Sequence, residues 1–160
     1  MSDPLRGMAC GVIDGNRYMT LGTVEADGLP RLSPVYFTHH EYRVFYWISS
    51  PDAQHSRNVL RQPAIAVVIF DSSAEPGATE AVYLKATAGQ VPDDELAAEC
   101  EIAFRRVGRG ARAFAPDELS GQAPLRLYRA AATSYDVHIR GSHPTYGKGI
   151  DCRMPVDMAS

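Results

Sequence analysis

Residues 43–71 read RVFYWISSPDAQHSRNVLRQPAIAVVIFD, and the order of residue types along them decides the fold. Val44–Ile48 joins β-branched and aromatic residues in the manner of a strand, and Ser49, Ser50 and Pro51 stop it. Ser50 before Pro51 and Asp52 supplies an N-cap, a proline at the first helical position and an acid in the first turn, so a helix is expected to start near residue 51. It must end by Gln62, because Pro63 biases the residue before it away from helical angles and has no N–H to give. Ala64–Phe70 then returns as an apolar strand. Strand, turn, short helix and strand frame an anion site, since His55, Ser56, Arg57 and Asn58 put four donor side chains beside the free amides of a helix start. The same four residues also suit the solvent face of an ordinary short helix. Residues 55 and 57 lie about 200° apart on a regular helix. They grip one phosphate only if residues 51–54 are turn and the helix begins near Ser56.

On the N-terminal side, Arg17–Val24 alternates Met19 and Leu21 with Tyr18, Thr20 and Gly22, and Ala26-Asp27-Gly28 supplies a hairpin turn. Leu29–Thr38 continues as a strand in which Pro30 and Pro34 each lack a ladder donor, which demands an edge, a bulge or a strand start. Arg31 and Ser33 share one face of it, and HHEY turns the chain into the strand at residue 43. On the C-terminal side, residues 71–79 are loop and Glu80–Val91 is strand. A helix is expected over 93–107, with acids at its front, arginines at its back and Leu96, Glu99 or Cys100, Ala103 and Val107 following the helical period on one modest apolar face. Leu125–Ile139 reads as one or two strands, and the tail is irregular apart from a short strand at 152–158. Short strands joined by turns, with two helices inserted, predict a mainly β fold: a small barrel whose rim is crossed by helices rather than a doubly wound sheet.

At 160 residues the chain suits one domain, 1–160, large enough to bury a core without disulfides or metal. Its three cysteines, Cys10, Cys100 and Cys152, are scattered and odd in number, which fits a reducing, cytoplasmic setting and neither a disulfide framework nor a paired metal motif. The N-terminal stretch lacks the apolar core of a signal peptide, and no apolar run approaches a membrane span. A formal net charge of −3 with mixed signs argues against a general nucleic-acid binder. GRGAR at 108–112 follows a helix where a dinucleotide glycine motif must follow a strand, so it is a loop. The arginines around it, Arg105, Arg106, Arg109 and Arg112, suit a solvated helix end or an anionic ligand. His39-His40 has no partner at metal-ligand spacing, so no metal is expected, and no serine stands in a nucleophile elbow.

The succession GLPRLSPVYF, VFYWISSPDAQHSRNVLRQP, AIAVVIFD and AVYLKATAGQV resembles the pyridoxamine-phosphate-oxidase-like family of FMN-binding split barrels, well over residues 15–91 and loosely beyond. The resemblance implies a split β-barrel homodimer with a flavin, FMN or alternatively a deazaflavin, at an interface built from both subunits. It implies an FMN-dependent oxidoreductase of a small organic substrate, or a protein that binds flavin without turnover. Carried over by position, Arg31, Leu32, Ser33 and Pro34 match the segment lining the flavin ring and reaching toward the phosphate. Trp47, Ile48 and Ser49 match the strand end that contacts ring and ribityl chain, and His55, Ser56 and Arg57 match the phosphate-binding segment. Glu80, Ala81 and Val82 are expected to face the flavin from the partner chain. Two departures stand out. His55 occupies a position that is commonly lysine, and the tail GSHPTYGKGIDCRMPVDM lacks the tryptophan-, arginine- and histidine-rich segment with which true pyridoxamine-phosphate oxidases grip their substrate.

Overall fold

A computed structural model describes residues 3–158. The first element, α1 (Pro4–Gly15), is a helix the sequence reading passes over. Asp3 accepts the Leu5 amide at 3.0 Å as its N-cap, Pro4 opens it, and Ala9, Val12 and Ile13 bury one face. The strands are β1 (Tyr18–Val24), β2 (Pro30–Tyr36), β3 (Thr38–His40), β4 (Val44–Ser49), β5 (Ala64–Phe70), β6 (Ala81–Gln90), β7 (Arg126–Ile139) and β8 (Cys152–Pro155). All pair antiparallel in the order β2-β1-β5-β6-β7-β4-β3, with β8 added along the far half of β7.

One face of this sheet is dry. Met19, Leu21 and Thr23 of β1 alternate inward with Ile65, Val67 and Ile69 of β5, and Phe45, Trp47, Val82, Val137 and Ile139 complete the interior. The sheet curls until β2 touches β4, yet the two form no ladder. That seam is the split of the barrel. β2 is therefore an edge strand, which is how Pro30 and Pro34 are tolerated inside it.

β7 is a single strand of 14 residues rather than two. A bulge between Lys85 and Ala86 lets it bend; Thr133 is the residue left without a partner on β6, and its hydroxyl donates to the Lys85 carbonyl at 3.1 Å. The residues expected to be a plain turn, HHEY, instead begin with the short strand β3. They turn at Glu41 and Tyr42, whose φ of 52° and 59° are the left-handed pair of a type I′ hairpin. Neither is glycine, so the turn is held from outside. Tyr42 donates to Asp14 of α1 at 2.8 Å and stacks on His39 at 4.6 Å, while His39 meets the same carboxylate at 3.0 Å.

Helix α2 (Gln54–Arg61) crosses one end of the barrel and α3 (Leu96–Ala103) caps a second core of Tyr46, Val91, Leu96, Cys100, Leu119 and Leu127. α3 is shorter than the expected 93–107. Residues 93–95 form a turn, and the buried Thr38 hydroxyl donates to the Ala103 carbonyl at 2.7 Å, where the helix ends. Among the described residues no helix is long and apolar enough to cross a membrane.

Candidate functional site

The seam between β2 and β4 opens into a cleft of about 460 Å³. Pro34, Val35 and Tyr36 form one wall and Tyr46, Trp47, Ile48 and Ser49 the other, with His55 at one end and Phe104, Arg112 and Phe114 at the other. Because β3 pairs with β4 only as far as Tyr46, the backbone of Trp47–Ser49 presents an unpaired edge here. The walls are largely aromatic. Trp47 is buried against Tyr128, its ring stacked at 5.6 Å, and its indole N–H has no partner among the described residues.

The His55 end of the cleft depends on where α2 begins. Residues 50–53 form a turn, with the Ser50 hydroxyl accepting the Asp52 amide at 3.1 Å, so Ser50 caps that turn and the helix starts at Gln54. Its N-cap, Ala53, offers no side-chain acceptor, and no acid stands in the first turn. The Gln54 and His55 amides therefore have no side-chain cap, while the Ser56 amide bonds the Ala53 carbonyl. A start at Gln54 also separates His55 from Arg57, by the helical geometry above. His55 turns to the cleft, where its Nε2 lies 2.8 Å from the Ser49 hydroxyl. Arg57 turns to solvent, 61% exposed and 3.4 Å from Asp52. Burial, and then the nearby Arg31 guanidinium, hold the His55 pKa below the ordinary histidine value, so the imidazole is neutral near pH 7. Arg31 itself pairs with Glu25 across the β1–β2 turn.

The α2 face that carries His55 is anchored one turn later. Asn58 is fully buried; its Nδ2 donates to the Thr23 hydroxyl at 3.1 Å and its Oδ1 accepts from Gln54 at 2.9 Å. Asn58 is therefore a strut rather than a ligand donor. Ser56 is likewise 3% exposed, its side chain turned to Tyr128, and its amide bonds the Ala53 carbonyl; it does not face the cleft.

Of the residues singled out from sequence, the cleft gathers Pro34, Trp47, Ile48, Ser49 and His55, with Arg31 beside the last. Leu32 points out of the barrel, 72% exposed, and Ser33 is half-buried opposite Leu21. Val82 turns into its own protomer's core and pairs with both β5 and β7, Ala81 is buried and pairs with Phe70 of β5, and Glu80 before them is exposed. Tyr36, Tyr46, Phe104 and Phe114 were not singled out. A seam made by strand curvature leaves no local sequence signal for them. Arg112 stands over the Phe114 ring at 3.7 Å and pairs with Glu118 at 2.9 Å, closing the far end. Among the described residues no cluster of His, Cys, Asp or Glu is arranged to hold a metal ion.

A curled antiparallel half-barrel with an aromatic cleft in its seam defines a split-barrel protein. A family model described as pyridoxamine 5'-phosphate oxidase matches residues 11–136, and the chain belongs to that family. No curated protein matches it in sequence. Among solved structures, a heme-binding protein from Mycobacterium smegmatis superposes with a TM-score of 0.70 at 20% identity, over 97% of this chain and 59% of that one. The chain thus spans under two thirds of that relative's length. The heme storage protein HutZ from Vibrio cholerae gives 0.62 at 20% identity over 91% and 98% of the two chains. An FAD-binding protein from Mesorhizobium loti gives 0.61 at 17% identity over 80% and 89%. At these identities the likeness is one of fold.

Proposed function

We propose that residues 1–160 form one flavin-binding split-barrel domain, an FMN-dependent oxidoreductase of a small organic substrate. The observation that carries this reading is the joining, in one cleft, of an aromatic slot to a donor-bearing end made by His55 and the uncapped start of α2, with the Arg31 guanidinium beside it. FMN has the same division into a flat apolar ring and a phosphate. Family membership and an FAD-binding fold relative support a flavin over other phosphates. The ring would lie between Pro34 and the Trp47–Ser49 edge, where unpaired backbone groups suit its polar rim. Arg31 and His55 would hold the phosphate. When bound, the flavin supplies the redox chemistry, taking two electrons from a donor and passing them to an acceptor. The chain's own residues fix its position, and the aromatic walls exclude water from one side. Arg57, which faces solvent, has no part in the phosphate grip of its own protomer.

The outer face of β1, β2 and β5 supports a homodimer. Tyr18, Leu32 and Phe70 are large, apolar and 61%, 72% and 42% exposed on outward positions of β1, β2 and β5. A patch of that kind marks an interaction surface, and a second copy there would lie beside the seam.

The absorbance spectrum and mass of whatever co-purifies with the chain test the reading. Flavin bands with the mass of FMN are expected. Bleaching by a nicotinamide donor and recovery with an acceptor would establish turnover, and bleaching without recovery would leave a binding protein. A deazaflavin mass would change the cofactor but keep the cleft. A Soret band, as from heme, would overturn the flavin assignment.

A further inference from the structure

A second cavity, of about 620 Å³, opens on the other side of Tyr36, between the end of α1, the β3–β4 hairpin and the loop that follows α3. Four arginines line it: Arg17 from the start of β1, and Arg105, Arg106 and Arg109 from the loop. None of the four makes a side-chain hydrogen bond or ion pair among the described residues, whereas Arg31, Arg57, Arg112 and Arg129 each have a carboxylate. Two acids also line the cavity, Asp14 bonded within the fold and Glu41 with its carboxylate largely exposed. Asp14 is held by His39 and Tyr42, and Glu41 lies 4.0 Å from His40. In a chain of net charge −3, this cavity concentrates unpartnered positive charge.

The end of α3 would account for Arg105 and Arg106, since a helix C-terminus favours cations. It does not account for Arg17, which arrives from another part of the chain, nor for Arg109, beyond the first residues after the helix. The loop is also tied down rather than free: the Gly108 amide donates to the Tyr36 hydroxyl at 2.8 Å, and Gly110 takes a φ of 85° that suits glycine. Tyr36 and Thr38 are shared by this cavity and the seam cleft, so the two sites have a common wall.

We infer that this cavity binds a phosphorylated small molecule carrying two or more negative charges, at a site separate from the His55 end of the seam. Planar guanidinium forks match phosphate oxygens in pairs, and several of them converging select for more than one charge. A volume of 620 Å³ is that of a small-molecule site. The inference stands whether or not the seam binds flavin.

Calorimetric titration of inorganic pyrophosphate into the full chain at low salt tests it, using the wild type, Arg31→Ala, Arg17→Ala and Arg109→Ala. Arg31→Ala weakens any pyrophosphate binding in the seam, so affinity that it leaves unchanged reports this cavity. Binding is expected to persist in Arg31→Ala. Arg17→Ala and Arg109→Ala should each weaken it by roughly three- to tenfold, the exposed setting lowering the yield of each charge-assisted bond. Arg109→Lys, which keeps the charge without the fork, should recover part of the loss. All four arginines are exposed, so the variants should fold, and circular dichroism checks this. Three results would overturn the site: no binding at millimolar pyrophosphate, binding lost in Arg31→Ala but kept in the other two variants, or citrate binding as tightly as pyrophosphate.

Discussion

Replacing Asn58 with alanine should destabilise the protein and loosen the site together. Asn58 is fully buried and Thr23 is 1% exposed, so the 3.1 Å bond between them has no solvent to replace it. Its loss leaves the Thr23 hydroxyl without its donor, at about 1–3 kcal/mol, and breaking the part-buried Gln54 bond adds about 1. Asn58→Ala is therefore expected to cost about 2–4 kcal/mol in urea unfolding at fixed protein concentration. Thr23→Val strands the Asn58 amide instead and should cost about 1–3 kcal/mol. If the bond is the cause, the double variant will cost less than the sum by about 1 kcal/mol or more, since contacting residues are not additive. Full additivity, or single losses below about 0.5 kcal/mol, would refute the strut. The variant should also bind flavin more weakly, because His55 sits one turn earlier on the same helical face.

Arg31→Ala should weaken FMN binding roughly ten- to a hundredfold, as loss of a charge-assisted phosphate bond does, while Arg57→Ala should change it less than about threefold; fluorescence titration measures both, and the reverse order would move the phosphate site. His55 has a pKa lowered in the folded state, so the unfolded chain binds more protons. Stability conferred by its neutral form is therefore present above the unfolded value of about 6.5 and lost as pH falls from there through the folded value. Urea unfolding across that window should show the wild type losing stability relative to His55→Gln. For ligand, a phosphate beside the ring favours its protonated form, so the ratio of wild-type to His55→Gln affinity for FMN should rise as pH falls from about 8 toward about 6, where the phosphate's own second ionisation begins to oppose it. Parallel profiles would show that His55 does not touch phosphate. Light scattering should give a dimer mass, and Leu32→Glu, which puts a charge on the exposed outer face, should shift it toward monomer; an unchanged mass would move the interface elsewhere.

Much of the barrel was legible because its strands announce themselves locally. The alternation of Met19 and Leu21 with Tyr18, Thr20 and Gly22 and the apolar run at 64–70 identify strands without tertiary help. Helix α1 was not read, although Leu5, Met8, Ala9, Val12 and Ile13 recur at helical spacing on the face that packs on the sheet, because Gly7 and Gly11 interrupt it and lower its helix propensity. The start of α2 turned on a competition that residue types do not resolve: Ser50, Pro51 and Asp52 suit a helix start, but they close a turn first. That three-residue difference sends Arg57 outward and leaves His55 in the cleft. The aromatic end of the cleft was illegible, since Phe104 and Phe114 reach Tyr46 only through the docking of α3 and the loop after it.

The seam carries a cost in solubility as well as an opportunity for ligand. Backbone left unpaired along β2 and at the end of β4 is a template on which another extended chain can grow. Pro30 and Pro34 blunt the β2 side, because each removes an N–H and holds φ where a regular ladder does not want it. A filled cleft blunts the β4 side. The protein stripped of its ligand should therefore be the form that precipitates, and Pro34→Thr should hasten that by restoring a donor to the edge.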